Sequence, residues 1–297
     1  MALNRGNGMT FNSLESEACQ VLVDLALRED LGDAGDITSR SVVGDHAQGK
    51  AICRAREAGL IAGLDAFAMV FRSLDASVNV SHRAQDSQHV SAGGDLAIVC
   101  GRVQSILAAE RSALNFLQHL SGIASLTARF VAAVAGTRAT ILDTRKTIPA
   151  WRRLEKYAVR CGGGLNHRIG LFDAVLIKDN HLAALGDARA LPEALERVRK
   201  GVPFEVPIIV EVDDLPALET ALRHLPRVVL LDNFSVSQIR EAVRRRDAIA
   251  PPVLLEVSGG VSLANVKAIA NTGVDRISVG AITHSAPALD IGLDFET

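Results

Sequence analysis

The chain has 297 residues and a formal net charge of -2, with 48% hydrophobic and 22% charged residues. A chain of this length holds one large domain or two ordinary ones and can bury a sizeable core. The near-neutral balance argues against a nucleic-acid binder, which carries a basic stripe, and against a polybasic membrane anchor.

The opening segment, Met-Ala-Leu-Asn-Arg-Gly-Asn-Gly, lacks the apolar stretch of a signal peptide. Residues 13 to 31 carry the pattern of an amphipathic helix ending near Gly32. Residues 47 to 63 and 78 to 103 read as short strands with glycine turns at Gly59, Gly63 and Gly93-Gly94. The longest apolar run, residues 60 to 71, is interrupted by Asp65 and falls well short of the roughly 18 residues that span a bilayer, so no membrane partner is expected. Residues 104 to 135 form a long helical pattern, expected to break near Gly122. Residues 1–118 are therefore read as a smaller α+β domain.

The second half has a different rhythm. Short apolar runs end in a charged residue or glycine, with helical segments between them: Ala139-Thr-Ile-Leu142, Ala174-Val-Leu-Ile177, Ile208-Ile-Val210, Val228-Val-Leu-Leu231, Val253-Leu-Leu255 and Ile277-Ser-Val279. These read as strands buried on both faces. Thr147 is expected to cap a helix that stops at Gly162, with Trp151, Leu154, Ala158 and Cys161 on its apolar face and Arg152, Arg153 and Lys156 solvated. Ser235 with Gln238 forms a capping box, and Ser262 is expected to cap Leu263 to Asn271.

Alternating strands and helices imply a parallel sheet, closed as a barrel or left open and doubly wound. No GxGxxG follows a strand, which removes the main support for a dinucleotide-binding sheet. A polar residue or glycine ends every strand (Asp143, Lys178, Glu211, Asp232, Ser258 and Gly280), which favours a barrel with its site at the carboxyl end. Six strand units predict an incomplete, roughly six-stranded α/β barrel over residues 119–285. The alternating tail within 286–297 reads as one more strand that joins the first domain.

Candidate chemistry gathers at those strand ends. Arg145 and Lys146 follow the first barrel strand, and Arg168 and Lys178 bracket the second. One such cation is ordinarily a surface ion pair; cations at two successive strand ends point to a ligand with several negative groups. Glu211 and Asp232 can hold sugar hydroxyls or a magnesium-bound phosphate, or can simply pair with the cations. Ser258-Gly-Gly260 and Val279-Gly-Ala281 let backbone N–H groups approach a phosphate, assisted by the helix start after Ser262. His167 reads equally as a donor to an anionic ligand and as a structural histidine. No His or Cys pair has metal-ligand spacing, so no protein zinc site is expected. Cys161 reads as core, and the scattered Cys19, Cys53, Cys100 and Cys161 fit a reducing cytoplasm.

At these residues the chain resembles the quinolinate phosphoribosyltransferase family, also called carboxylating nicotinate-nucleotide pyrophosphorylase. The resemblance is carried, in family order, by Glu29-Asp-Leu-Gly-Asp33 with Gly35-Asp-Ile-Thr38, Glu110-Arg-Ser-Ala-Leu-Asn115, Gln118-His-Leu-Ser-Gly122 and Asp143-Thr-Arg-Lys-Thr147. It continues through Glu155 to Gly164, Asn166-His-Arg168, Leu176-Ile-Lys-Asp-Asn-His181, Glu211, Leu231-Asp-Asn233, Ser258-Gly-Gly260 and Ile277-Ser-Val-Gly-Ala281. It implies an incomplete barrel with an N-terminal α/β sandwich domain, assembled as a cytoplasmic homodimer. It implies transfer of phosphoribose from phosphoribosyl pyrophosphate to quinolinate with decarboxylation, giving nicotinate mononucleotide for NAD. Mg2+ is the implied cofactor, held mainly by the phosphoribosyl pyrophosphate.

The resemblance also assigns residues. Thr144, Arg145, Lys146, His167, Arg168 and Lys178 line the quinolinate and phosphate sites, and Arg111 enters the neighbouring subunit's site. Glu211 and Asp232 face the ribose and its metal. Ser258, Gly259, Gly260, Val279, Gly280 and Ala281 form the 5-phosphate site. Lys146, Lys178, Glu211 and Asp232 are the expected catalytic set. The chain departs from the family at Thr147-Ile-Pro-Ala150, where Thr-Thr-Pro-Gly is common, and at Asp213, where Glu is common. Three other readings compete: a molybdate-linked paralogue, a Schiff-base aldolase built on Lys178 and a phosphosugar-binding barrel without turnover.

Overall fold

The computed structural model describes residues 9–186 and 190–296. The opening segment read for a signal peptide lies outside the described residues. By contacts the chain divides into two compact units: Met1–Ala128, Thr147–Gly163 and Ile282–Thr297 form the first, and Arg129–Lys146 with Gly164–Ala281 form the second. The sequence reading placed the boundary at residue 118 and kept all of 119–285 in the barrel. The structure instead carries the first unit on to Ala128 and gathers Thr147–Gly163 into it.

In chain order the first unit opens with α1 (Ser13–Leu31), α2 (Ile37–Val42), β1 (Gln48–Ala55), β2 (Gly59–Leu60), α3 (Leu64–Leu74), β3 (Asn79–His82), β4 (His89–Val90), β5 (Asp95–Arg102) and α4 (Val103–Ala133). Asn12 and Glu15 form a reciprocal capping box on α1, and Gly32 ends it. Helix α3 occupies the apolar run that the sequence reading left without an element, its Phe67 and Phe71 meeting edge to face at 5.0 Å. Helix α4 runs unbroken through Gly122. A Cβ at Gly122 would collide with the Pro287 carbonyl, so this glycine serves close backbone approach. Tertiary packing outweighs the ~1 kcal/mol that glycine costs a helix.

The rest of the chain supplies β6 (Thr140–Leu142), α5 (Arg152–Cys161), β7 (Val175–Ile177), α6 (Asp179–Ala183), α7 (Leu191–Gly201) and β8 (Ile208–Val212). It continues with α8 (Leu215–Arg223), β9 (Val228–Asp232), α9 (Val236–Ile249), β10 (Leu254–Ser258), α10 (Val266–Ala270), β11 (Arg276–Ser278), α11 (Ala281–His284) and β12 (Ile291–Phe295). Strand β12 pairs antiparallel with β1 and completes the first unit's four-stranded sheet, ordered β12-β1-β5-β3.

Helix α5 differs from its sequence reading in two ways. It starts at Arg152 with Trp151 at the cap, while Thr147 instead accepts a hydrogen bond from the Arg152 side chain at 3.0 Å. Lys156 is not solvated: it is 1% exposed, beside fully buried Glu155. Glu155 is partnered by His119 Nε2 at 2.9 Å and the Ile148 N–H at 3.2 Å. Ala150, just before the helix, has φ +68°, a conformation that strains an L side chain. Ala150→Gly is therefore expected to raise stability by about 0.5–1 kcal/mol, read as a higher denaturation midpoint; an unchanged or lower midpoint would contradict the strain argument.

In the second unit the six strands lie in the order β6-β11-β10-β9-β8-β7, every ladder parallel. The first strand sits beside the last, as barrel winding requires; a doubly wound sheet would reverse direction from its middle. Among the described residues, only the β6–β7 seam lacks a ladder. There Leu165 bridges parallel to Leu142, its N–H bonded to the Ile141 carbonyl at 2.8 Å. Ser235 and Gln238 cap α9 reciprocally, as expected. Ser262 does not directly precede a helix: α10 begins later, at Val266 after Asn265, whose side chain accepts the Ser262 N–H at 2.8 Å. Among the described residues no helix is long and apolar enough to cross a membrane.

Candidate active site

Alternation along the barrel strands sorts the side chains. Ala174, Ile209, Val228 and Leu230 pack together with Leu176 and Leu254 as an apolar cluster, which identifies the inward face. Two residues on from members of that cluster, the same face presents Lys178, Glu211, Asp232 and, beyond Glu256, Ser258. The polar residues thus follow the apolar plug toward the strands' carboxyl ends, where βα barrels place their chemistry.

Register brings specific pairs together. Ile177 of β7 pairs with Val210 of β8, which sets Lys178 level with Glu211. Lys178 Nζ lies 2.6 Å from Glu211 Oε2, with the lysine 41% and the glutamate 16% exposed. Asp232 pairs with Ser258 across the β9–β10 ladder, and Asp232 Oδ2 accepts from Asn233 at 2.9 Å. Gly259 has φ +93°, and a Cβ there would collide with the Asn233 amide oxygen, so the loop after β10 packs tightly on the loop after β9. Gly260 also has positive φ but faces open space.

On the other side of the barrel, Thr144 folds back to accept the Lys146 N–H at 3.0 Å and leaves Arg145 and Lys146 exposed. Val279 donates to the Leu142 carbonyl at 2.9 Å and extends the β6–β11 ladder, after which Gly280 and Ala281 follow. Arg111 lies exposed on α4 in the first unit. His181, next to this cluster in sequence, accepts the Lys178 N–H at 3.0 Å and so secures the turn into α6.

His167 and Arg168 sit on the segment that spans the open seam. Asp143, buried at the end of β6, accepts the His167 N–H at 2.8 Å and Asn166 Nδ2 at 2.7 Å. The His167 ring accepts the Arg168 N–H on Nδ1 at 2.8 Å, and its Nε2 lies 3.3 Å from Glu256 Oε1. Arg168 Nη1 donates to the Ala174 carbonyl at 3.0 Å, just before β7. Burial first, then the like charge of Arg145, lowers the Arg168 pKa against the opposing pull of Asp173 and Glu211. The arginine stays charged at any ordinary pH, and this mutual repulsion is what an anionic ligand would relieve.

Sequence reasoning missed Glu256 as part of this arrangement. The signal was present: Leu254-Leu-Glu-Val-Ser258 places one carboxylate in the middle of an otherwise apolar strand, where an unpaired charge is costly. Glu256 is fully buried, accepts from Ser278 Oγ on the neighbouring strand, and has Arg276 Nη1 at 3.8 Å. Burial acts to raise its pKa, but the hydrogen bonds from His167 and Ser278, together with the nearby charge of Arg276, outweigh it and hold the carboxyl below the usual range. Cys161 is core, as read: burial and the nearby Asp86 carboxylate push its thiol up to about 12.

An open six-stranded parallel barrel with cations and carboxylates at its carboxyl ends defines an α/β-barrel protein shaped for a small polyanionic ligand. Residues 36–121 match the model of the quinolinate phosphoribosyl transferase N-terminal domain, and residues 123–294 that of the C-terminal domain. The nicotinate-nucleotide pyrophosphorylase [carboxylating] of Mycobacterium leprae (strain TN) is 47% identical over 284 residues, covering 94% of this chain and 98% of the relative. Quinolinate phosphoribosyltransferase [decarboxylating] 1b of Nicotiana tabacum is 39% identical, covering 93% of this chain and 82% of the relative. The solved nicotinate-nucleotide pyrophosphorylase from Francisella tularensis superposes with a TM-score of 0.87 at 40% identity, covering 98% of this chain and all of that one. The chain belongs to the quinolinate phosphoribosyltransferase family.

Proposed function

We infer that the chain joins quinolinate to phosphoribosyl pyrophosphate and releases carbon dioxide, giving nicotinate mononucleotide and pyrophosphate in NAD biosynthesis. The observation that carries this reading is the arrangement of charge: Arg145, Lys146, Arg168 and Lys178 flank the first two barrel strands, and Glu211 and Asp232 stand on the inward face of the next two. Quinolinate is a dianion and its co-substrate carries several more negative charges. The cations bind and orient both. As pyrophosphate leaves, positive charge grows on the ribose, and the Glu211 and Asp232 carboxylates stabilise it while Lys146 and Lys178 stabilise the departing oxygens. Once the ring nitrogen is alkylated, its positive charge stabilises the electron pair left on the adjacent ring carbon as carbon dioxide departs, and that carbon takes a proton from solvent. Positioning and electrostatics suffice, with no covalent protein nucleophile.

Thr144, His167 and Arg111 complete the quinolinate side of this site, and Ser258, Gly259, Gly260, Val279, Gly280 and Ala281 receive the 5-phosphate. The short α10 begins too late to help; the backbone N–H groups of the glycine loops do this instead. Among the described residues no three His, Cys, Asp or Glu side chains stand together as a metal cluster. Mg2+ would be bound chiefly through the diphosphate oxygens, with Glu211 and Asp232 as the protein's acidic contribution. The ion supplies charge neutralisation of the leaving group.

The site is completed in a homodimer, in the cytoplasm. Supporting this are the exposed Leu14, Val21 and Leu25 on one stripe of α1, the exposed Ile37 and Val42 on α2, and the free thiols of all four cysteines. The test of the reaction is release of labelled carbon dioxide from carboxyl-labelled quinolinate. Release that needs both phosphoribosyl pyrophosphate and Mg2+ and yields nicotinate mononucleotide supports the reading; none from folded protein overturns it. Borohydride trapping of Lys178 with a carbonyl substrate would instead favour the aldolase. Mixing Arg111→Ala with Lys178→Ala chains is expected to restore about a quarter of wild-type activity, because one of the two sites in each mixed dimer is intact. Zero recovery after confirmed subunit exchange would remove Arg111 from the neighbour's site.

A further inference from the structure

The incomplete barrel leaves a seam between β6 and β7, and the segment Leu165 to Arg168 fills it without a continuous ladder. Two carboxylates pin that segment from opposite sides of the chain order. Asp143, ending β6, takes the Asn166 side chain and the His167 N–H. Glu256, in the middle of β10, faces His167 Nε2. Both carboxylates are fully buried. The His167 ring is occupied at both nitrogens: Nδ1 accepts the Arg168 N–H, so the ring proton resides on Nε2 and points at Glu256. The ring thereby ties the backbone of Arg168 to the Glu256 carboxylate.

We propose that Glu256 is a positioning residue for the phosphoribosyl transfer, acting through His167 to fix Arg168 for the pyridine dicarboxylate without touching substrate. The proposal rests on the functional reading given above. A charge-assisted bond is stronger than its neutral equivalent, so a carboxylate holds the His167 ring more firmly than an amide would. Ser278, on β11, donates to the same carboxylate oxygen that faces His167, and Arg276, also on β11, lies 3.8 Å from the other. The seam therefore does through two acid anchors what backbone ladders do elsewhere in the barrel.

The test is Glu256→Gln, which preserves shape and removes the charge. The expected result is a KM for quinolinate raised about tenfold, with kcat and the KM for phosphoribosyl pyrophosphate within about threefold and the chain still folded. His167→Ala should reproduce the quinolinate defect, and the double variant should be no worse than His167→Ala alone, because both act through one element. An unchanged quinolinate KM, an equal loss for both substrates, or multiplied effects in the double variant would overturn the proposal. Wild-type turnover in the same assay checks the functional reading separately. An inactive wild type sinks that reading, and the clamp is then decided by ring-nitrogen NMR of labelled histidine. A neutral Nε2–H tautomer for His167, with a signal that moves in Glu256→Gln, supports the clamp; an Nδ1–H tautomer refutes it.

Discussion

Lys178→Ala is expected to lower kcat/KM for quinolinate by about a hundredfold or more while leaving the fold intact. One unit charge about 4 Å from another is worth on the order of 4 kcal/mol at an effective dielectric of about 20, close to a thousandfold in rate. Lys178 is 41% exposed, so solvent screening places the effect toward the lower end. A second cause adds to the first. Without the ammonium 2.6 Å away, Glu211 becomes an uncompensated carboxylate facing a dianionic substrate. Lys178→Ala combined with Glu211→Gln should therefore bind quinolinate more tightly than Lys178→Ala alone, although catalysis stays low because the ribose loses its acid. Steady-state kinetics and calorimetric binding of the two variants check this. Wild-type turnover by Lys178→Ala would withdraw that lysine from the catalytic set. Stability should change by less than about 1 kcal/mol, the ordinary worth of a partly exposed ion pair.

Arg246→Ala should have the largest effect on stability, about 3 kcal/mol. Arg246 is 1% exposed. Its Nη1 donates to Asp275 Oδ2 at 2.6 Å and to the Val253 carbonyl at 2.9 Å, and its Nε donates to Asp247 at 2.6 Å. Asp275 also accepts the Leu255 N–H at 2.9 Å and pairs with the more exposed Arg138, so one guanidinium organises the chain entering both β10 and β11. Truncation leaves a buried carboxylate short of its main cation and opens a cavity where the side chain lay. The remaining Arg138 contact holds the cost toward the lower end of the range for broken buried pairs. For a unit of this size the midpoint should fall by roughly 6–12 °C. A loss under about 1 kcal/mol would show that water enters and replaces the arginine. Arg246→Lys should recover little, since a single ammonium cannot reach Asp275, Asp247 and the Val253 carbonyl together.

Much of the barrel was legible in sequence because buried parallel strands announce themselves. Each of the six apolar runs overlaps one of β6 to β11, and Lys178, Glu211 and Asp232 stand where β7, β8 and β9 end, while Arg168 precedes β7 and reaches the Ala174 carbonyl. The Lys178–Glu211 contact follows from strand register once the winding is known. Helix boundaries were less legible where local signals compete. Ser262 has the chemistry of a cap, yet α10 begins only after Asn265, whose side chain accepts the Ser262 N–H. Gly122 looks like a break, yet α4 continues because the glycine makes room for the Pro287 backbone.

Charge in buried places was the least legible. Lys156 sits in a polar-looking helix pattern and is nonetheless buried, beside a Glu155 already partnered by His119. Glu256 sits in an apolar strand and meets His167, 89 positions away in the chain, and Ser278 on the next strand. Local pattern reports the period of a strand or helix, because pleat and helical pitch are backbone properties that neighbouring residues share. It does not report which distant side chain meets a buried charge. The sequence by itself determined the alternating strands and helices, the polar strand ends and membership of a family. Only the tertiary structure decided that the barrel stays open at one seam, that two buried acids hold the segment crossing it, and that His167 meets Glu256 of β10. Those contacts join residues far apart in the chain, and desolvation makes them obligatory only once the barrel has wrapped around them.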